Sequence, residues 1–103
     1  MIKLDLLNYK EFGAGDAPSI RGSFEPKPYP GMERIIRYLE GGKPHLFSPQ
    51  FGVDAISGER VADSYMICGD GEYSWSSMLP YYVRKYNMRL PAEFEAKVLR
   101  LSA

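Results

Sequence analysis

The chain has 103 residues, of which 45% are apolar and 25% are charged, and its 13 Lys and Arg balance its 13 Asp and Glu. This length supports one hydrophobic core and excludes a second catalytic domain. The zero net charge excludes a general attraction to nucleic acid or to an anionic membrane, so either partner would need a local basic patch. One cysteine and one histidine are too few for an internal disulfide or a structural zinc site. We therefore expect no metal and no cofactor.

The beginning of the sequence, residues 1–5, lacks the apolar stretch of a signal peptide. No run of residues approaches the roughly 20 apolar residues of a membrane span. These patterns predict a cytoplasmic protein with no membrane partner.

The N-terminal segment, residues 1–30, is predicted to be rich in loops, because residues 13–31 contain four glycines and four prolines. Within it, residues 20–24 have the composition of a short strand at a sheet edge. Residues 26–30 alternate proline with one other residue, which favours an extended path. We interpret this stretch as a stiff connector or as a strap across the core.

The first helix is predicted over residues 31–40. Its apolar residues recur with the period of one helical face, and glycines follow it. Gly41 is expected to adopt the left-handed conformation that closes such a helix.

The middle of the chain predicts an antiparallel β-meander. Candidate strands lie at 45–47, 50–53 and 62–68, and a turn at Ser57-Gly58 joins two arms of residues 54–61. Asp70-Gly71 between β-forming residues is a strong hairpin signal, because both turn positions can require a positive φ.

Two helices are expected to complete the fold. Ser76 or Ser77 can cap the first, with Pro80 in its first turn and Asn87 at its C-terminal cap. The second begins at Pro91 and places Phe94, Val98 and Leu101 on one face. The sequence therefore predicts an α+β fold, a single compact domain over 1–103 in which a small antiparallel sheet packs against about three helices.

One candidate for chemistry is a thiol site in a small enzyme, built from Cys68, His45 and Asp70 or Asp54. A nucleophilic thiolate needs a base and a group that orients that base, and these residue types are all present. The competing interpretation is that Cys68, within a run of β-forming residues, is a buried apolar residue.

Acidic residues on the turns offer a second candidate, because carboxylates that converge at a sheet edge can hold a cation or act as acid and base. Their spacing fits no known cation-binding loop. We interpret Asp70 and Asp54 as turn residues and predict no metal site.

The strongest functional signal is aromatic. Half of the aromatic residues lie within residues 65–94, and tyrosine outnumbers phenylalanine eight to five. Buried phenols need hydrogen-bond partners, so some tyrosines are expected at a surface. We predict a binding surface of Tyr73, Trp75, Tyr81 and Arg84, a composition typical of interface hot spots and of surfaces that stack single-stranded nucleic acid. The alternative is that Tyr73 and Trp75 belong to the core.

Residues 70–94 run from Asp-Gly through Tyr-Ser-Trp and Tyr-Tyr-Val to Leu-Pro-Ala-Glu-Phe. This segment resembles a pattern found in small uncharacterised bacterial proteins. The resemblance covers about a quarter of the chain. It implies a bacterial origin and a small accessory domain, and it brings no activity, ligand or catalytic residue.

The leading hypothesis is a non-catalytic protein-interaction module that binds a protein partner or a second copy of itself, in the manner of an immunity protein or an antitoxin. The first alternative is a small enzyme that uses Cys68, His45 and Asp70. The second is a single-stranded nucleic-acid binder, which the neutral charge disfavours.

Overall fold

The computed structural model describes Tyr9 and residues 19–102, and it confirms the α+β class. After a short 3₁₀ helix at Ile20–Ser23, the helices are α1 (Met32–Glu40), α2 (Leu79–Tyr86) and α3 (Ala92–Ser102). The strands are β1 (Lys43–Ser48), β2 (Gly52–Val53), β3 (Arg60–Ala62), β4 (Tyr65–Gly69) and β5 (Ser74–Ser76).

The strands form two small antiparallel sheets instead of one meander. One sheet has the order β1-β4-β5, and the other pairs β2 with β3. Because the β2–β3 hairpin is inserted between β1 and β4, the expected succession of neighbouring strands is interrupted. The two predicted turns are present, with φ +80° at Gly58 and φ +94° at Gly71. Glycine adopts these angles without steric cost.

The core lies between the three helices and the three-stranded sheet. α1 buries four apolar residues at the predicted helical spacing. The Phe94 ring of α3 lies at its centre and makes edge-on contacts with three other rings, those of Tyr38, Tyr73 and Trp75. Such edge-to-face pairs add stability beyond the area that they bury.

The proline strap is held against the segment between α2 and α3. The Arg89 N–H donates to the Ser23 carbonyl, and the Glu25 N–H donates to the Asn87 carbonyl. The Tyr29 hydroxyl donates to the Met88 carbonyl. These bonds tie residues 23–29 to the connection between α2 and α3.

Several local predictions are confirmed. Helix α1 begins one residue later than predicted, Pro80 lies in the first turn of α2, and Asn87 caps α2 in the left-handed conformation. Pro91 precedes α3 and accepts the backbone N–H bonds of Phe94 and Glu95.

Other local predictions are wrong. Residues 20–23 form a 3₁₀ helix, and only Phe24 makes an isolated bridge, to Met88. Gly41 has φ −86°, so it is not left-handed, whereas Gly31 before α1 has φ +86°. Leu101 is 59% exposed although it shares its predicted face with the buried Val98. The predicted loops of residues 10–18 lie outside the described residues.

The predicted serine caps have other roles. Met78 occupies the N-cap of α2 and makes no side-chain capping bond. The Ser76 hydroxyl accepts from the Met78 N–H, and the Ser77 hydroxyl accepts from the Met66 N–H. The two serines therefore stabilise the turn between β5 and α2 and tie it to β4.

Candidate functional site

Exposed apolar side chains are concentrated in one stretch of the sequence, residues 46–66. Seven large apolar side chains are exposed in the described part of the chain, and six of them lie in this stretch. We call these six the exposed apolar region: Leu46, Phe47, Phe51, Val53, Val61 and Met66. Single exposed apolar residues are ordinary, but a concentration of them indicates an interaction site.

Strand β1 supplies the two most exposed members of this region. Leu46 is 65% exposed and Phe47 is 68% exposed. Successive residues of a strand point to opposite faces, so a strand covered on one face would bury one of the two. Both are exposed, so neither face of β1 is covered at this point. Among the described strands, β1 also lies at the edge of its sheet, with β4 on one side only.

The sheet register brings a second strand into the same surface. Phe47 pairs with Met66 of β4, so their side chains lie side by side on one face. On the neighbouring hairpin, the Arg60 guanidinium lies 4.4 Å from the centre of the Phe51 ring. That cation–π contact fixes the ring while leaving it 54% exposed.

A buried carboxylate fixes the β2–β3 hairpin on helix α2. Asp54 directly follows β2 and is fully buried. It accepts hydrogen bonds from the Tyr81 hydroxyl at 2.6 Å and from the Tyr86 hydroxyl at 2.7 Å. It also accepts from the backbone N–H groups of Ile56 and Ser57 within its own turn. This network determines where the hairpin presents its apolar residues.

The Asp54 network keeps the carboxylate charged. Burial alone would raise the pKa of Asp54, but the bonds from the two tyrosine hydroxyls and the two backbone N–H groups hold it well below the usual range. The Lys85 ammonium, 3.5 Å away, adds a countercharge. Asp54 therefore acts as an anchor and is poorly suited to accept a proton near neutral pH.

A cleft opens at the N-terminal end of β1. It has a volume of about 670 Å³ and is open to solvent. Its wall combines the end of α1, the beginning of β1 and the end of β4: Arg37, Tyr38, Gly41, Gly42, Lys43, Pro44, His45, Gly69, Asp70 and Gly71.

Asp70 in the wall of this cleft already has a positively charged partner and several hydrogen-bond donors. Its carboxylate accepts from the Tyr38 hydroxyl, from the Lys97 ammonium at 2.8 Å, and from the backbone N–H groups of Glu72 and Tyr73. Burial would raise the pKa of Asp70, yet these bonds hold it well below the usual range. Asp70 therefore ties the β4–β5 turn to α1 and α3.

The three members of the predicted thiol site lie near one another without forming a catalytic arrangement. His45 and Asp70 line the same cleft, and Cys68 lies beside them on β4. Cys68 is buried, and burial raises the pKa of its thiol. His45 contacts the Ser74 hydroxyl at 3.3 Å. Among the described residues no hydrogen bond joins His45 to Cys68 or Asp70, so neither a base nor an orienting group is in place.

The predicted aromatic surface is divided between core and exterior. Tyr73 and Trp75 are 1% and 2% exposed, which corrects the expectation that they meet a partner. Trp75 donates its indole N–H to the Leu39 carbonyl, so its polar atom is satisfied inside the core. Tyr81 is half-buried and anchors Asp54. Arg84 is exposed and lies 3.6 Å from Glu40 in a surface ion pair, a type that contributes little stability.

The exposed apolar region could not be recognised from the sequence. Its members are ordinary strand-forming residues, and the patterns of residues 45–53 predict strands without indicating which face is covered. A usable signal was present: Leu46 and Phe47 are adjacent, so a strand covered on one face must leave one of them exposed.

In the described ranges, no helix has both the length and the apolar character needed to cross a bilayer. The same ranges contain no group of three or more His, Cys, Asp or Glu side chains that could hold a metal ion. Comparison with protein-family models, curated proteins and solved structures finds no match. The resemblance of residues 70–94 to small bacterial proteins stays a prediction.

Proposed function

We propose that this protein is a non-catalytic module that binds another protein through the exposed apolar region. The observation that supports this most strongly is the position of the exposed apolar side chains, six of which fall within residues 46–66 on β1, β4 and the β2–β3 hairpin. Burying one such side chain on a partner is worth about 1.5–3 kcal/mol. A few of them would supply the central contacts of an interface.

The two aspartate anchors support the proposal further. Asp54 fixes the hairpin on α2, and Asp70 fixes the end of β4 on α1 and α3. Strands held in this way present Phe47 and Phe51 in fixed positions, which reduces the entropy lost on binding. The proposed interface therefore lies on these strands and not on the predicted aromatic cluster. Tyr81 acts as a positioning residue.

The sequence expectation of an immunity or antitoxin role is compatible with such a module and names one class of partner, a second protein encoded by the same organism. A second copy of the chain is the other partner expected from the sequence.

Site-specific photocross-linking tests this function. Benzoylphenylalanine replaces Phe47 or Phe51 in cells of the organism that encodes the protein, with replacement of Arg34 on the outer face of α1 as the matched control. We expect a light-dependent adduct with one protein from positions 47 and 51 and none from position 34. An adduct of two copies of the chain would identify the partner as the protein itself. The absence of any adduct above the control at 47 and 51 would contradict the proposal.

A further inference from the structure

The backbone of β1 is available for pairing along half of its length. Among the described strands, β1 has β4 on one side only. Outside the β1–β4 ladder, the described residues make no backbone hydrogen bond to residues 43–48. An edge with free N–H and C=O groups can accept an additional strand, in which an extended segment continues the sheet.

The first half of β1 is closed to such pairing. Pro44 has no backbone N–H. The register with β4 shifts between Pro44 and Leu46, so His45 has no partner residue and the strand is irregular there. Pairing along the second half, residues 46–48, meets neither obstacle, and this half carries Leu46 and Phe47.

The direction of the added segment follows from the sheet. All strand pairs here are antiparallel, and antiparallel pairing is slightly more stable per residue than parallel pairing. An antiparallel segment that begins beside Ser48 runs toward Lys43. Its C-terminal end therefore reaches the cleft.

The charges at that end of β1 are unbalanced. Among the eleven described Lys and Arg side chains, four have acidic partners: Arg84 with Glu40, Lys85 with Asp54, Arg89 with Glu95, and Lys97 with Asp70 and Glu72. Arg37 and Lys43 line the cleft, and no ion pair is formed by either with a described residue. The one carboxylate in the cleft wall, Asp70, is held by Lys97 and Tyr38. Within the part of the chain that the structure describes, the cleft therefore offers a ligand two positive charges that have no ion-pair partner.

The cleft also has the room that an acidic side chain needs. Its volume of about 670 Å³ exceeds that of several side chains.

We propose that the partner binds as an extended segment that pairs antiparallel with residues 46–48 and places acidic residues, at its C-terminal end, beside Lys43 and Arg37. The inference rests on the proposed function and specifies the chemistry of the partner: apolar residues on alternate positions, followed by Asp or Glu. The apolar residues contact Leu46 and Phe47, and the acidic residues give the segment its direction and register.

Synthetic peptides of equal composition and opposite order test the inference. The acid-last probe is Thr-Val-Thr-Ile-Thr-Val-Asp-Glu, the acid-first probe is Glu-Asp-Val-Thr-Ile-Thr-Val-Thr, and a third probe ends in Lys-Lys in place of Asp-Glu. Each carries fluorescein at its N-terminus and an amide at its C-terminus, and binding to the full chain is measured by anisotropy. We expect the acid-last probe to bind about fivefold more tightly than the acid-first probe, with the Lys-Lys probe weakest. The difference should shrink in high salt.

Charge reversal provides a second readout. In the variant with Arg37→Glu and Lys43→Glu, we expect the order to invert, so that the Lys-Lys probe binds best. The matched control, Arg34→Glu with Lys27→Glu, changes two exposed cations outside the cleft and should keep the wild-type order. Leu46→Ser with Phe47→Ser should weaken all probes alike.

The outcomes separate this inference from the proposed function. Equal binding of the acid-last and acid-first probes to the wild type would overturn it, and so would the binding of no probe. In either case a cross-link from position 47 would leave the proposed function standing. The absence of both the cross-link and peptide binding would remove both.

Discussion

The Tyr81 hydroxyl of α2 donates a 2.6 Å hydrogen bond to the buried carboxylate of Asp54 at the end of β2. A hydrogen bond to a charged, buried acceptor is about twice as strong as a neutral one. This contact therefore does more than satisfy a buried phenol. It fixes the hairpin that carries Phe51 and Val53, and it connects the helical side of the molecule to the exposed apolar region.

Replacing Asp54 should loosen that connection. Asp54→Asn removes the charge and leaves a single acceptor oxygen for two tyrosine hydroxyls and two backbone N–H groups. We expect the free energy of unfolding to fall by about 2–3 kcal/mol, measured by urea denaturation. Asp63→Asn, an exposed aspartate nearby, is the control and should change it by less than about 0.5 kcal/mol. Equal effects of the two substitutions would contradict the anchoring role.

Stability should decrease in acid because of two carboxylates. The pKa values of Asp54 and Asp70 are both held below the ordinary value of 3.8. The unfolded chain therefore binds protons more readily than the folded chain in acid, and lowering the pH through the ordinary value favours unfolding. We expect these two groups to contribute a constant stability from pH 7 to about pH 5 and a loss that grows below about pH 4.

Urea unfolding at a series of pH values measures this dependence. The variant with Asp54→Asn and Asp70→Asn should be less stable at neutral pH and should lose less on acidification. If the free energy of unfolding of this variant fell as steeply as that of the wild type between pH 5 and pH 3, groups other than Asp54 and Asp70 would cause the loss of stability in acid.

Gly42 should tolerate no side chain. A Cβ at this position would lie 2.5 Å from Cζ2 of Trp75, a buried ring fixed by its bond to the Leu39 carbonyl. We expect Gly42→Ala to lower the melting temperature and to cost about 1–3 kcal/mol. Gly22→Ala is the matched control, because nothing lies within 4 Å of its Cβ position. A melting temperature that is the same for both variants would show that Trp75 shifts freely.

The Cys68 thiol should be unreactive in the folded protein. It is 6% exposed, and burial raises its pKa, so little thiolate is present near neutral pH. We expect labelling by a chromogenic disulfide reagent only after denaturation. Labelling of the native protein at the rate of a free thiol would revive the enzyme hypothesis built on Cys68, His45 and Asp70.

Two phenylalanines should differ sharply in their effect on stability. Phe94 is fully buried among aromatic rings, so Phe94→Ala should cost about 3–5 kcal/mol. Phe47 is 68% exposed, so Phe47→Ala should change the free energy of unfolding by less than about 0.5 kcal/mol. A large loss from Phe47→Ala would mean that this ring stabilises the fold and is not kept for a partner.

The parts of the fold that follow from local chemistry could be predicted. Helix α1, the Asp70-Gly71 turn, Pro80 in the first turn of α2 and the Asn87 cap each depend on a few neighbouring residues. The division of the strands into two sheets depends on which distant strands pair. Nothing within residues 43–48 indicates that β1 pairs with β4 across the inserted hairpin.

The site was harder to predict than the fold for the same reason. Tyr73, Trp75 and Tyr81 were predicted to lie on a surface because they belong to an aromatic-rich part of the sequence. Whether such a residue is buried depends on how α3 and α1 pack over β5. Tyr73 and Trp75 are buried in the core by this packing. Leu46 and Phe47 were predicted only as strand residues, and neither face of β1 is covered where they lie. Hydrophobicity alone could not distinguish the two groups.

The interrupted first half of β1 has a consequence for the protein in a crowded cell. An edge strand open along its whole length would allow copies to add one after another, since each new copy would present a fresh edge, and an open-ended fibre would grow. Pro44 and the irregularity at His45 leave too short a stretch for such growth. The interruption therefore disfavours such growth while Leu46 and Phe47 stay exposed at the sheet edge.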